Sequence, residues 1–174
     1  MHHYAAVVLF CLLSSVGTIV RAQSDSKTFS AGFGLQGGIP ASSTGYHFDG
    51  GLTVRLSYHA GPGFVTLSSG VVAWIPKSFQ GSTTKASLQI PVLVGYKYVF
   101  AKPFFVMGEV GYSSFRVYYK GDDNNVASST YGGFTYAPTI GVTFKALELG
   151  IRYESTSLNG GTASAIGLKV AFNF

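Results

Sequence analysis

Charge is scarce in this sequence. Asp, Glu, Lys and Arg make up 11% of its 174 residues, whereas ordinary soluble domains carry about 25%. So few charges cannot cover a water-soluble domain of this size. Cysteine is nearly missing too. The one instance, Cys11, lies in an apolar stretch at the amino end, so the remainder of the chain can form no disulfide. After that stretch no apolar run reaches the about 20 residues of a transmembrane helix. Basic clusters are absent as well: the 12 Lys and Arg are scattered singly, despite a net charge of +5, which leaves no footprint for a nucleic acid. What is abundant is apolar and small. The chain is 47% hydrophobic and 15% aromatic, with 23 glycines, and this material comes in short pieces.

The amino end has the form of an export leader. Ala5 to Val20 is an apolar core, and Val20-Arg21-Ala22 offers small residues at cleavage positions. The preceding Met-His-His-Tyr4 carries no Lys or Arg, so the usual positive region is weak. Phe10 is too bulky a neighbour for Cys11 to serve as a lipid-anchor site. The expected organisation is a signal peptide at 1–22, a short segment at 23–28 and one domain at 29–174.

Within that domain side chains alternate between two faces, as strands require. The clearest case is the end of the chain. Ser164, Ile166, Leu168, Val170, Phe172 and Phe174 share one face; Ala163, Ala165, Gly167, Lys169, Ala171 and Asn173 share the other. Seven more strands follow the same rule: Phe29–Ile39, Leu52–His59, Phe64–Ile75, Ser87–Val99, Pro103–Tyr119, Tyr131–Lys145 and Leu147–Glu154. The third is the least regular, because Phe64, Val72 and Trp74 are large apolar residues on its polar parity. Eight strands of roughly ten residues predict an all-β fold, an eight-stranded antiparallel transmembrane up-and-down barrel.

The connections carry a separate argument. Polar links of about ten residues are expected after strands one, three, five and seven (40–49, 76–86, 120–130 and 155–162), and short ones after two, four and six (60–63, 100–103, 145–146). Membrane barrels alternate in this way, with short periplasmic turns and longer outer loops. The turn at Lys145-Ala146 sets a register that pairs Phe144 with Leu147 and Ile140 with Ile151 while keeping both faces coherent. Two aromatic girdles are expected: Tyr58, Tyr98, Phe104, Phe144, Phe172 and Phe174 near the turns, and Trp74, Tyr112, Tyr131, Phe134 and Tyr153 near the loops.

Leu88-Gln-Ile-Pro-Val-Leu-Val-Gly-Tyr96, the Phe104–Tyr112 strand, Leu147-Glu-Leu-Gly-Ile-Arg-Tyr153 and the terminal Phe174 resemble the bacterial "porin family" outer-membrane barrel domain. That domain is similar in architecture to OmpA- and OmpX-type eight-stranded barrels. The resemblance covers most of the chain after the leader and rests on pattern. It implies an outer-membrane location, contact with outer-membrane lipids, and reading of the terminal aromatic Phe174 by the barrel-assembly machinery. It implies neither an open pore nor a catalytic motif.

Arg55, Lys97, Glu109, Glu148, Arg152 and Lys169 fall on the inner parity and are expected to form a polar network in the lumen, with Glu148 and Lys169 as cross-strand neighbours. An eight-stranded barrel has room for little beyond its own side chains. The expected role is therefore structural or surface-interacting, through the outer loops of a monomer. Three other roles compete. A small channel would use lumen volume freed by inward glycines. A lipid-modifying enzyme would draw on Ser57 and His59, but residues two apart on a strand sit about 7 Å apart, and no acid partner is evident. A soluble lipocalin-like carrier would turn the barrel inside out. Gly32-Phe-Gly34-Leu-Gln-Gly37 spells a dinucleotide pattern but lies in a strand and lacks the helix that pattern needs. Asp122-Asp-Asn-Asn125 lacks the spacing of a calcium loop. No catalytic residue, metal site, cofactor or nucleic-acid partner is expected.

Overall fold

A computed structural model describes residues 28–41, 45–77, 86–120 and 126–174. The expected leader at 1–22, the segment at 23–27 and the acidic stretch Asp122–Asn125 lie outside the described residues. Eight strands follow in order: β1 Phe29–Pro40, β2 Tyr46–Ala60, β3 Gly63–Pro76, β4 Ser87–Ala101, β5 Phe104–Lys120, β6 Val126–Phe144, β7 Leu147–Leu158 and β8 Gly161–Asn173. Each pairs antiparallel with its sequence neighbour, and β8 returns to β1 to close the barrel. The closing seam runs from Gly32 opposite Asn173 to Pro40 opposite Ala165. Two further main-chain bonds tie Phe174 to Ala31, at 2.9 and 3.1 Å.

Alternation alone cannot say which face is inside; closure of the sheet decides it. Leu35, Ile39 and Leu168 are 59%, 67% and 66% exposed on the outer wall, while Arg55, Glu109, Glu148, Arg152 and Lys169 are at most 5% exposed inside. A soluble carrier has the opposite polarity. The turn at Lys145-Ala146 pairs Phe144 with Leu147 and Ile140 with Ile151, the expected register.

Several strands are longer than expected, mostly away from the short turns, although β4 also runs on to Ala101. β2 starts at Tyr46 rather than Leu52, β6 starts at Val126, and β7 runs on to Leu158. The last outer link is then only Asn159-Gly160, with Gly160 at φ 109°. The strict alternation of long and short links therefore fails at β7–β8. Ser155-Thr-Ser157 has the polarity of a loop and is strand. Beyond the hydrocarbon both faces of a hairpin can be polar, and Ser and Thr pair well across strands. A second correction concerns Trp74. It belongs to no outer girdle, because it points inward and is 2% exposed. Phe64, Val72 and Trp74 did not break the third strand's alternation; Val72 and Trp74 are apolar parts of the lumen.

Some inward glycines are required by contact. A Cβ on Gly51 would lie 2.7 Å from Val72 Cα, and one on Gly167 would lie 2.6 Å from Gly38 Cα. These positions bring neighbouring strands together where no side chain fits.

A lipid-facing wall makes a specific prediction. Leu168→Arg should destabilise the barrel by about 2–4 kcal/mol, as cations on the lipid face of such barrels do. Asn159→Arg, in the outer turn, should change stability by less than about 0.5 kcal/mol. Urea unfolding in lipid vesicles measures both; a neutral Leu168→Arg would contradict the wall's assignment.

Candidate functional site

The site is the lumen, filled in layers from the turn end to the loop end. Strand alternation aims the polar set inward, and closure brings residues far apart in sequence into one column.

Nearest the turns, Glu148 of β7 accepts from Arg55 of β2 and Lys97 of β4. Arg55 also donates to Asn173 Oδ1 at 2.9 Å, and Lys97 to Thr143 Oγ1 at 3.3 Å. The Lys97 ammonium lies 4.6 Å from the centre of the Phe105 ring. At mid-height Arg152 pairs with Glu109, which also accepts from Ser68 Oγ. The same guanidinium donates to Glu154 Oε2 at 3.0 and 3.1 Å. Above it Gln89 bridges: its amide donates to Glu154 Oε1 at 2.6 Å, and its oxygen accepts from Trp74 Nε1 at 2.7 Å. Ser113, Thr135 and Thr156 extend the chain of hydroxyls. At the loop end the lumen turns apolar. Val72, Trp74, Phe115, Ala163 and Ala165 pack together, with Tyr46 and Leu158 against them. The Trp74 ring lies 5.7 Å from Tyr46 and 5.8 Å from Phe115.

Asp49, Glu109, Glu148 and Glu154 balance Arg55, Lys97, Arg152 and Lys169, and all eight are buried. The set is neutral overall, as a low-dielectric interior requires, since a buried charge is costly; six of the eight are joined by ion pairs among the described residues, and Asp49 and Lys169 are not. A cavity of about 20 Å³ lies beside Asp49, Trp74, Arg152 and Glu154, about the room of a single water.

All six charged residues named from sequence lie in this lumen, but Glu148 and Lys169 are not partners. Glu148 stands opposite Ala171, and Lys169 opposite Gly150. Arg55 and Lys97 occupy both oxygens of Glu148. Lys169 forms no ion pair among the described residues and sits in the combined field of Arg152, Glu109, Arg55 and Glu154. Gln89 stands on the inner parity of its strand, and the structure buries it there; Asp49 and Trp74 are lumen residues that the sequence reading places elsewhere. Asp49 lies in an expected loop, and Trp74 in an expected girdle although its parity points inward. Ser57 is buried, whereas His59 is exposed and packs edge-on against Phe64 at 5.1 Å. Gly32 to Gly37 lies wholly within β1. Phe174 is half-buried at the turn end, its ring 6.2 Å from Phe33.

An apolar outer wall around a polar lumen is the build of an integral membrane barrel. The chain belongs to the outer membrane protein beta-barrel domain family, whose model matches residues 8–174. Three solved barrels are similar in fold. Ail, the attachment invasion locus protein of Yersinia pestis, has a TM-score of 0.64 at 13% identity, over 86% of this chain and all of that one. The N-terminal barrel domain of Pseudomonas aeruginosa OprF has a TM-score of 0.60 at 11% identity, over 83% of this chain and 97% of that one. Neisserial surface protein A has a TM-score of 0.60 at 11% identity, over 87% of this chain and all of that one. No curated protein matches the sequence.

The lower ion-pair layer predicts a coupling pattern. Glu148→Ala should cost about 3–5 kcal/mol, because it strands two buried cations. In urea unfolding, Glu148→Ala with Arg55→Ala should fall short of the sum of the single effects. Glu148→Ala with Lys169→Ala should be additive within about 0.5 kcal/mol. Strong coupling of Glu148 to Lys169 would contradict the layered arrangement.

Proposed function

We propose that this outer-membrane barrel is a closed, non-enzymatic scaffold that presents its outer strand ends and loops to surface partners. The observation that carries this reading is the filled lumen. Two ion-pair layers, the Gln89 bridge and the Val72–Trp74–Phe115 cap stand in series along the axis. A solute crossing it would have to break each layer, and buried pairs resist separation. The inward glycines free no bore; at Gly51 and Gly167 the space is taken by the adjacent strand. The similar barrel of Yersinia pestis is named for attachment and invasion, and it has been crystallised with the heparin analogue sucrose octasulfate. That supports an outward-facing interaction role here. The lumen network Arg55, Lys97, Glu109, Glu148, Arg152 and Lys169 then serves to hold the scaffold rigid. Export by residues 1–22, a monomeric state, and reading of Phe174 by the assembly machinery belong to the same proposal.

The pure barrel in planar bilayers should give no reproducible single-channel steps. Stable unitary currents, widened by Arg152→Ala, would promote the channel reading instead.

Deleting Phe174 separates assembly from stability. One rim aromatic contributes about 1–3 kcal/mol by burial, so the refolded deletion variant should keep most of its unfolding free energy. In cells it should accumulate outside the membrane fraction. Normal insertion in cells would remove Phe174 from the assembly role.

A further inference from the structure

The outer wall is not uniform. A groove of about 510 Å³ crosses it on the β4–β8 side, within the about 300–1,000 Å³ range of small-molecule sites. Its floor is Gly108 and Pro138, which stand opposite each other on β5 and β6. No heavy atom lies within 4 Å of the place where a Gly108 Cβ would stand. Tyr96, Ile140, Tyr153 and Ile166 form its sides. The β6–β7 ladder is also interrupted here. Pairing runs from Phe134 opposite Ser157 to Tyr136 opposite Ser155 and resumes at Thr139 opposite Arg152, leaving Ala137 and Pro138 without a β7 partner. Proline has no N–H to give a ladder and is rare inside sheets. Gly108 and Pro138 both cost sheet stability, and together they open a trough.

The trough is continuous with the lipid-facing wall, so what fills it comes from the bilayer. The Tyr153 hydroxyl on the loop side is engaged by Ser155 and Ser164, and the remaining tyrosines lie toward the turns. Tyr96 and Tyr98 line that side, and the Tyr96 hydroxyl is held by donation to the Ala60 carbonyl at 2.9 Å. Below them, exposed Lys102 and Lys145 stand in the β4–β5 and β6–β7 turns, the two turns that bracket the strands of the floor. From Pro138 to Lys145 is seven residues, about 23 Å along a strand at about 3.3 Å per residue. With a tilt of about 45° that is about 16 Å of depth, close to half of the roughly 30 Å hydrocarbon core. An acyl chain whose headgroup sits at the turn-side interface spans that depth.

From this geometry we infer that the groove is a docking site for one anionic glycerophospholipid of the turn-side leaflet. One acyl chain lies over Gly108 and Pro138, and the phosphate sits between Lys102 and Lys145. Opposite charges attract at this interface, each lysine near an anionic headgroup being worth about fivefold in affinity.

Native mass spectrometry of the barrel extracted from vesicles of phosphatidylcholine and phosphatidylglycerol tests this. The wild-type barrel should retain one phosphatidylglycerol in preference to phosphatidylcholine. Gly108→Leu fills the floor and should lower that retention about tenfold. Val54→Leu, on the far wall, should not lower it. Lys102→Gln with Lys145→Asn should abolish the preference for phosphatidylglycerol while leaving the floor intact, and it keeps the test open should Gly108→Leu fold poorly. Retention that is equal for both lipids, or equal in Gly108→Leu and Val54→Leu, would overturn the site. So would a dimer that Gly108→Leu dissociates, since the groove would then hold a second copy of the chain.

Discussion

In hydrocarbon there is no water to take up an unpaired amide N–H or carbonyl, so a sheet that crosses a membrane must close on itself. The rest of this structure depends on that constraint. Closing β8 onto β1 leaves no edge in the lipid, and it also fixes two environments with opposite demands. The outer parity has to be apolar. The inner parity has to satisfy every polar group within a column that eight strands leave barely wide enough for side chains. The 11% charge content reflects this division, because much of the outer surface carries no charge at all.

The lumen meets most of that demand by balance and division of labour, with Asp49 Oδ1, Arg55 Nε, Thr66 Oγ1 and Thr139 Oγ1 left without a partner among the described residues. Glu148 serves two cations below, Arg152 serves two carboxylates above, and Gln89 links the second group to the Trp74 indole. The apolar cap at the loop end then shields these pairs from the water outside the membrane, and low dielectric strengthens them. Rigidity and closure thus have one cause. In the proposed closed-scaffold reading, the same packing leaves the outer wall and strand ends as the recognition surfaces.

How far the sequence revealed this differs by level. The period of two is a short-range property, and it sufficed for eight strands and for sorting their residues into two faces; that the charged face is the inner one needed the closed sheet as well. Partner choice was not legible. Glu148 and Lys169 look like neighbours when β7 and β8 are laid side by side, but in a closed barrel Arg55 and Lys97 reach Glu148 across the bore from β2 and β4. Only the three-dimensional closure supplies those contacts. Strand ends were misjudged for a different reason. Polarity marks where the hydrocarbon stops, not where hydrogen bonding stops, so Ser155–Leu158 and Tyr46–Gly51 continue as strand beyond the apolar band. Trp74 was misplaced because an aromatic near a strand end was weighted above its parity, although parity in a barrel decides direction. The groove at Gly108 and Pro138 was not foreseen, because a missing Cβ leaves no mark on the alternation.

The central claim is that the inward face is sealed from water while the strand ends are open to it. With Cys11 replaced, single cysteines report this one position at a time. Gln89→Cys and Ser68→Cys barrels, refolded in vesicles, are exposed to a charged, membrane-impermeant thiol reagent, with Asn159→Cys in the outer turn as the reference. The account predicts rapid labelling at position 159 and labelling slower by about a hundredfold or more at 89 and 68, the contrast expected if a buried site must open at a cost of about 3 kcal/mol or more before it reacts. Labelling at 89 and 68 as fast as at 159 would mean that water and ions pass through the lumen, and the closed-scaffold account would fail.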